Sequence, residues 1–96
     1  MSEVEEIMKR ILSHKGVEGV IIANTEGIIL RSTLEDQSTV HHVALVQPLL
    51  MKAKKIVQDM NPEDELTYVR LRTEKNEEII AADKDYFMIS IQTPSL

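Results

Sequence analysis

The stretch Val17-Glu18-Gly19-Val20-Ile21-Ile22-Ala23 constrains this chain more than any other. It is β-branched and apolar on both alternating sets of positions. A strand of that kind is buried on both faces, and hence central in its sheet. Asn24-Thr25-Glu26-Gly27 then supplies a turn in which Gly27 is free to adopt positive φ. Ile28-Ile29-Leu30-Arg31-Ser32 returns as the second strand of a hairpin.

The elements around this hairpin follow from periodicity. Val4, Ile7, Met8, Ile11 and Leu12 form one apolar stripe at helical spacing, so a first helix is predicted over residues 2–14. Ser2 and Glu5 fit a capping box, and Gly16 is a natural residue for the chain leaving the helix. A long second helix is predicted with Asp36 or Ser38 as its N-cap, ending at Asn61-Pro62 with Asn61 in the left-handed conformation. Val43, Val46, Leu50, Ala53, Val57 and Met60 form the stripe that meets the sheet. A second flank, Leu45, Leu49 and Ile56, lies roughly 80–100° around from it, which is more apolar surface than one sheet face needs. Pro48 implies either a kink or a short first helix ending near Gln47.

Three more strands are predicted at Leu66–Thr73, Glu77–Ala82 and Tyr86–Gln92, joined by the short polar links Glu74-Lys75-Asn76 and Asp83-Lys84-Asp85. Even hairpins place Val69, Leu71, Ile80, Ala82, Phe87, Ile89 and Ile91 on one nearly apolar face. The other face, carrying Tyr68, Arg70, Arg72, Glu77, Ile79, Ala81, Tyr86, Met88, Ser90 and Gln92, is amphipathic, and a one-residue bulge would invert part of the assignment. The order is α-β-β-α-β-β-β, an α+β fold in one domain over residues 1–96, with no linker or internal repeat.

Composition excludes several chemistries. The absence of cysteine removes disulfides, thiolate zinc sites and thiol catalysis. A net charge of −5 argues against nucleic acid as the main ligand. No apolar run approaches the ~18 residues of a membrane span, and the acidic, amphipathic N-terminus is unlike a secretory or transit peptide. The chain is small, has no staples and holds only three aromatic residues, Tyr68, Tyr86 and Phe87, so oligomerisation is a candidate source of stability.

Searching for catalysis finds little. His41 and His42 have Ala44, Leu45 and Val46 where helical metal partners would stand, so surface histidines are the simpler reading. Ser32, Ser38, Ser90 and Ser95 lack a nucleophile elbow. Gly16-Val17-Glu18-Gly19 precedes a strand instead of opening a helix, so it makes no phosphate loop. The carboxylates cluster at helix starts and turns, as solvated charge does. No catalytic residue, cofactor or metal ligand is therefore expected. Arg70 and Arg72 alternate with Tyr68 on a strand suited to a sheet edge; the arginines either blunt that edge or fix a partner on it, and Arg70 can pair with Glu77. With the surplus helical flank just before it, the edge points to a symmetric dimer in which the third strand meets its mate and the second helix packs beside its mate.

The residues also carry a family resemblance. Lys15-Gly16-Val17-Glu18-Gly19-Val20-Ile21-Ile22 with Asn24-Thr25-Glu26-Gly27-Ile28 resembles the opening hairpin of roadblock-type dynein light chains. Ala82-Asp83-Lys84-Asp85-Tyr86-Phe87-Met88-Ile89-Ser90-Ile91-Gln92-Thr93-Pro94 is similar to their closing strand. Ser2 to Glu6 with Lys9-Arg10, and Asp64 through Arg72, are similar too. Ala82 stands where that family has a proline. The resemblance implies a profilin-like roadblock fold, with a five-stranded antiparallel sheet in the order 2-1-5-4-3 and two helices. It implies a non-catalytic homodimer, or a heterodimer with a paralogue, with an interface at Leu45, Leu49, Ile56, Thr67, Tyr68, Val69, Arg70, Leu71 and Arg72. Relatives often add a C-terminal helix over the face beside the first helix. The chain is expected to lack it, leaving Ile7, Ile11, Ile79, Tyr86 and Met88 as a partner-binding face.

The implied function is a light chain of a cytoplasmic or axonemal dynein that holds the intermediate chain and supports microtubule-based transport. The alternative is a roadblock-type scaffold or regulator of a small GTPase. Neither needs a cofactor, small-molecule substrate, nucleic acid or membrane. The expected location is cytoplasmic, on the cytoskeleton or in a ciliary axoneme.

Overall fold

A computed structural model describes residues 3–94. Its elements are α1 (Glu3–Leu12), β1 (Val17–Asn24), β2 (Ile29–Ser32), α2 (Asp36–Met60), β3 (Tyr68–Arg72), β4 (Glu77–Ala82) and β5 (Tyr86–Gln92). The predicted order is observed, and Ser2 of the expected capping box lies outside the described residues. The strands form one antiparallel sheet in the order β2-β1-β5-β4-β3.

β1 lies between β2 and β5, and Val20, Ile21, Ile22 and Ala23 are completely buried. Successive side chains point to opposite faces, so both faces must be covered. On one side Ile21 and Ala23 join Ile80, Phe87, Ile89 and Ile91 beneath Val43, Val46 and Leu50 of α2. On the other, Val20 and Ile22 lie on the side against which α1 packs. Gly27 turns the β1–β2 hairpin at φ 93°, a value that L side chains rarely adopt. The β3–β4 and β4–β5 pairs keep even register, Val69 opposite Ile80 and Ile80 opposite Ile89, so the predicted apolar face is assembled. The register shifts fall in the pairings of β1, at Glu18 against β5 and, against β2, at Leu30 of β2.

The ends of α2 differ from expectation. Glu35 occupies the N-cap without a side-chain cap bond, and Asp36 and Ser38 lie inside the helix. A hydroxyl relay braces the entry of the helix instead: the Leu34 N–H donates to Ser32 Oγ at 3.0 Å, Ser32 Oγ lies 2.6 Å from Thr39 Oγ1, and Thr39 Oγ1 donates to the Glu35 carbonyl at 2.9 Å. At the other end Asn61 is extended, φ −153° and ψ 105°, not left-handed. Pro62 explains this, because a proline pushes the residue before it toward extended backbone. Met60, expected on the sheet-facing stripe, is 75% exposed; at about 100° per residue it has drifted toward the helix flank. Pro48 neither ends nor splits α2, which is continuous over its 25 residues with Pro48 on an exposed position. There the freed carbonyl can be hydrated.

α1 is shallow. Val4, Ile7, Met8 and Ile11 are half-buried, none is fully buried, and Leu12 is exposed. Polar contacts tether it, among them Arg31 Nη2 to Glu5 Oε1 at 2.7 Å and the Tyr86 hydroxyl donating to Glu3 Oε1 at 3.2 Å.

Candidate interaction surface

α2 presents a second apolar surface beside its buried stripe. Leu45 is 64% exposed, Ile56 49% and Leu49 39%. On a 3.6-residue wheel these lie on the side of α2 that also carries His42. His42 Nε2 meets Glu78 Oε2 at 2.9 Å, and Glu78 pairs with Leu71 of β3. The flank therefore borders β3, whose Leu71 is 39% exposed on the same face of the sheet. Isolated exposed leucines are ordinary, but a row along a helix beside a sheet margin is a contiguous patch of the kind used for association.

β3 has a strand neighbour on one side only, β4. Its residues divide by parity. Val69 is half-buried against the core, so it is a core residue as well as an edge residue. Tyr68 is exposed on the opposite face. Thr67 lies just before the strand, and its carbonyl accepts the Ala82 N–H at 2.9 Å. Arg70 Nε reaches Glu77 Oε2 at 3.6 Å, as the sequence suggested. The burial of Glu77 was not foreseen: it is 4% exposed, and Gln92 Nε2 donates to its Oε1 at 3.3 Å. Alternation along β4 places it on the amphipathic face, and only the closeness of β3 and β5 on either side removes it from water.

The second expected surface is less open than predicted. Ile7, Ile11, Ile79, Tyr86 and Met88 are all half-buried. α1 shelters part of the face, and Tyr86 is engaged with Glu3 at its rim. Burial raises the pKa of the Tyr86 hydroxyl above its ordinary 10.0; the Glu3 carboxylate that accepts its hydrogen bond and the charges of Asp83 and Asp85 raise it further.

The remaining polar groups do not converge. A depression at the open end of β3 and the β4–β5 turn is lined by Lys54, Gln58, Glu65, Leu66, Thr67, Ala82, Asp83 and Lys84, opposite charges around an open floor. Among the described residues, no group of three or more His, Asp or Glu could hold a metal ion. His14 and His41 are exposed. The His42–Glu78 bridge joins residues 36 apart in sequence, so no local spacing could have announced it.

The fold is shared with solved bacterial proteins at low identity. A Roadblock/LC7 domain from Streptomyces avermitilis superposes with a TM-score of 0.82 at 10% identity, over 96% of this chain and 79% of that one. Myxococcus xanthus MglB gives 0.77 at 12% identity, over 96% and 79%. The gliding protein MglB of Thermus thermophilus gives 0.75 at 10% identity, over 93% and 70%. The Roadblock/LC7 domain family itself matches residues 3–93. With the match spanning nearly the whole chain and the sheet order and helix placement agreeing, this protein belongs to the Roadblock/LC7 domain family.

Proposed function

We propose that the protein is a non-catalytic, dimeric roadblock scaffold that regulates a small GTPase. The observation that carries a dimeric scaffold is the continuity of the exposed α2 flank, Leu45, Leu49 and Ile56, with the open edge of β3. A dimer closing both would shield an edge that otherwise templates aggregation. The GTPase side of the reading is favoured by the similarity to bacterial roadblock proteins, MglB among them, over a dynein subunit. A cytoplasmic location is part of the same proposal.

The second reading is a dynein light chain. The half-covered face of Ile79, Tyr86 and Met88 beside α1 favours it, because a partner helix could complete that layer. One capture experiment separates the two. The immobilised protein is offered small GTPases in both nucleotide states and, separately, a dynein intermediate-chain segment. Retention of a GTPase in one nucleotide state is expected. Retention of the intermediate-chain segment alone would overturn the GTPase reading in favour of the light-chain one.

A further inference from the structure

The sheet has a second edge, at β2, whose only strand neighbour is β1. The Thr33 N–H donates to the Val20 carbonyl at 3.0 Å, and Arg31 stands opposite Ile22 in the same register. Hydrogen-bonded and non-bonded pairs alternate along an antiparallel ladder. The backbone groups of Arg31 therefore face β1, and those of Ser32 face the open edge. A trans peptide points its C=O and the following N–H in opposite directions. The Leu30 carbonyl, joined to the Arg31 N–H, thus points out to the edge as well. Leu30 is the extra residue of a bulge, because Ala23 stands opposite Ile29 and Ile22 opposite Arg31.

A second copy would bond this edge as an antiparallel strand centred on Arg31. The Ser32 N–H of each copy would then donate to the Leu30 carbonyl of the other. That acceptor is already occupied. Arg31 Nη1 donates to the Leu30 carbonyl at 2.7 Å, so the side chain folds back over its own strand. The same guanidinium donates through Nη2 and Nε to Glu5 Oε1 of α1, at 2.7 and 3.2 Å. One planar, five-donor group closes a strand edge and grips a helix at once. The central position adds a further obstacle: Arg31 would face Arg31 of the second copy, and like charges directly opposed are destabilising.

We propose that Arg31 is the stop that keeps β2 from pairing with β2 of a second copy, and that Glu5 of α1 is the latch that holds the stop in place. The dimeric reading above is not needed for it. In a monomer the stop prevents dimers built through β2. In a dimer joined elsewhere it prevents more, since a two-fold contact at each edge of one sheet extends that sheet from dimer to dimer without closing. The latch is light: both side chains are about half exposed, and an exposed ion pair contributes little. α1 itself has no fully buried residue. A partner that displaces α1 therefore also frees Arg31 and opens the edge.

Sedimentation of single variants tests the device. Arg31→Ala frees two acceptors and removes two like charges per contact, so the association constant through β2 should rise about tenfold. Species larger than those of the wild type at equal concentration are the expected readout, and an unchanged size distribution overturns the stop. Arg31→Lys keeps the charge but cannot span Leu30 and Glu5 together. It should also grow; wild-type behaviour would assign the block to charge alone and overturn the role of the occupied carbonyl. Arg31→Cys places the chain's only thiol at the two-fold axis. Mild oxidation should cross-link it to itself, because opposed Cα atoms lie within disulfide reach, and faster than His14→Cys, exposed in the α1–β1 turn. Larger species without that faster cross-link grow through another surface and overturn the β2 pairing. Glu5→Ala leaves Arg31 in place and should give a smaller increase in size; none at all overturns the latch. Every readout is relative to the wild type, so failure here leaves the dimeric reading standing, and a monomeric wild type overturns that reading without touching the stop.

Discussion

Two side chains show how single residues set local behaviour. Tyr86 is the clamp between β5 and the start of α1. Its pKa is raised, so the folded protein holds the phenolic proton more firmly than the unfolded chain does. The stabilisation is complete below the ordinary tyrosine range and is lost as pH climbs through the raised value. In a Tyr68→Phe variant Tyr86 is the only tyrosine, and its ultraviolet titration should have a midpoint above 10.0; a midpoint at or below it would show that burial and Glu3 exert no pull. Thr39 is the buried link of the relay from Leu34 to Glu35 at the entry of α2. Thr39→Val keeps the volume but removes the hydroxyl, and should lower stability by about 1–2 kcal/mol in urea unfolding. An unchanged midpoint would mean that water replaces the relay at no cost.

At the scale of elements, α2 serves two surfaces. Its buried stripe could be read from spacing, because Val43, Val46 and Leu50 recur at helical intervals and the sheet below them is apolar. The surplus flank could be read the same way, but periodicity could not say which strand it borders. That came from His42, whose reach to Glu78 puts the flank beside β3. Because Leu45 and Leu49 are exposed, the double variant Leu45→Asp, Leu49→Asp should fold yet sediment as monomer, and a variant dimer of normal affinity would count against the flank as an interface. Pro48 stands on an exposed position of the same helix. Replacing it with Ala restores a backbone donor and removes a ring clash, so stability should rise by about 1–3 kcal/mol, less the entropy returned to the unfolded chain. Chemical denaturation would reveal it, and a loss of stability would mean that the proline shapes the helix for packing.

The whole molecule is a sheet with one face sealed by a long helix and the other partly sheltered by a shallow one. α1 is held by half-buried apolar contacts and exposed polar tethers such as Arg31–Glu5, so it should open at lower free energy than the sheet. Stability of the whole should also depend on association. If folding and dimerisation are linked, the melting temperature should climb as protein concentration increases. A melting temperature that stays constant over a hundredfold range of concentration would argue against an obligate dimer.

What the sequence determined by itself was everything local or periodic. The doubly apolar run at Val20–Ala23 called for a central strand and Gly27 for a turn, while one apolar face on the later strands followed only if their hairpins paired without a bulge, as they do. Those features are written in neighbouring residues, where sterics and alternation act directly. Even the error at Asn61 was local in origin, since Pro62 decides that backbone. Only the tertiary structure decided what depends on residues far apart in the chain. It buried Glu77 between β3 and β5, bridged His42 to Glu78, and half-closed the face beside α1. Burial and charge pairing are properties of a neighbourhood in space. The sheet order β2-β1-β5-β4-β3 creates that neighbourhood, and no spacing along the chain encodes it.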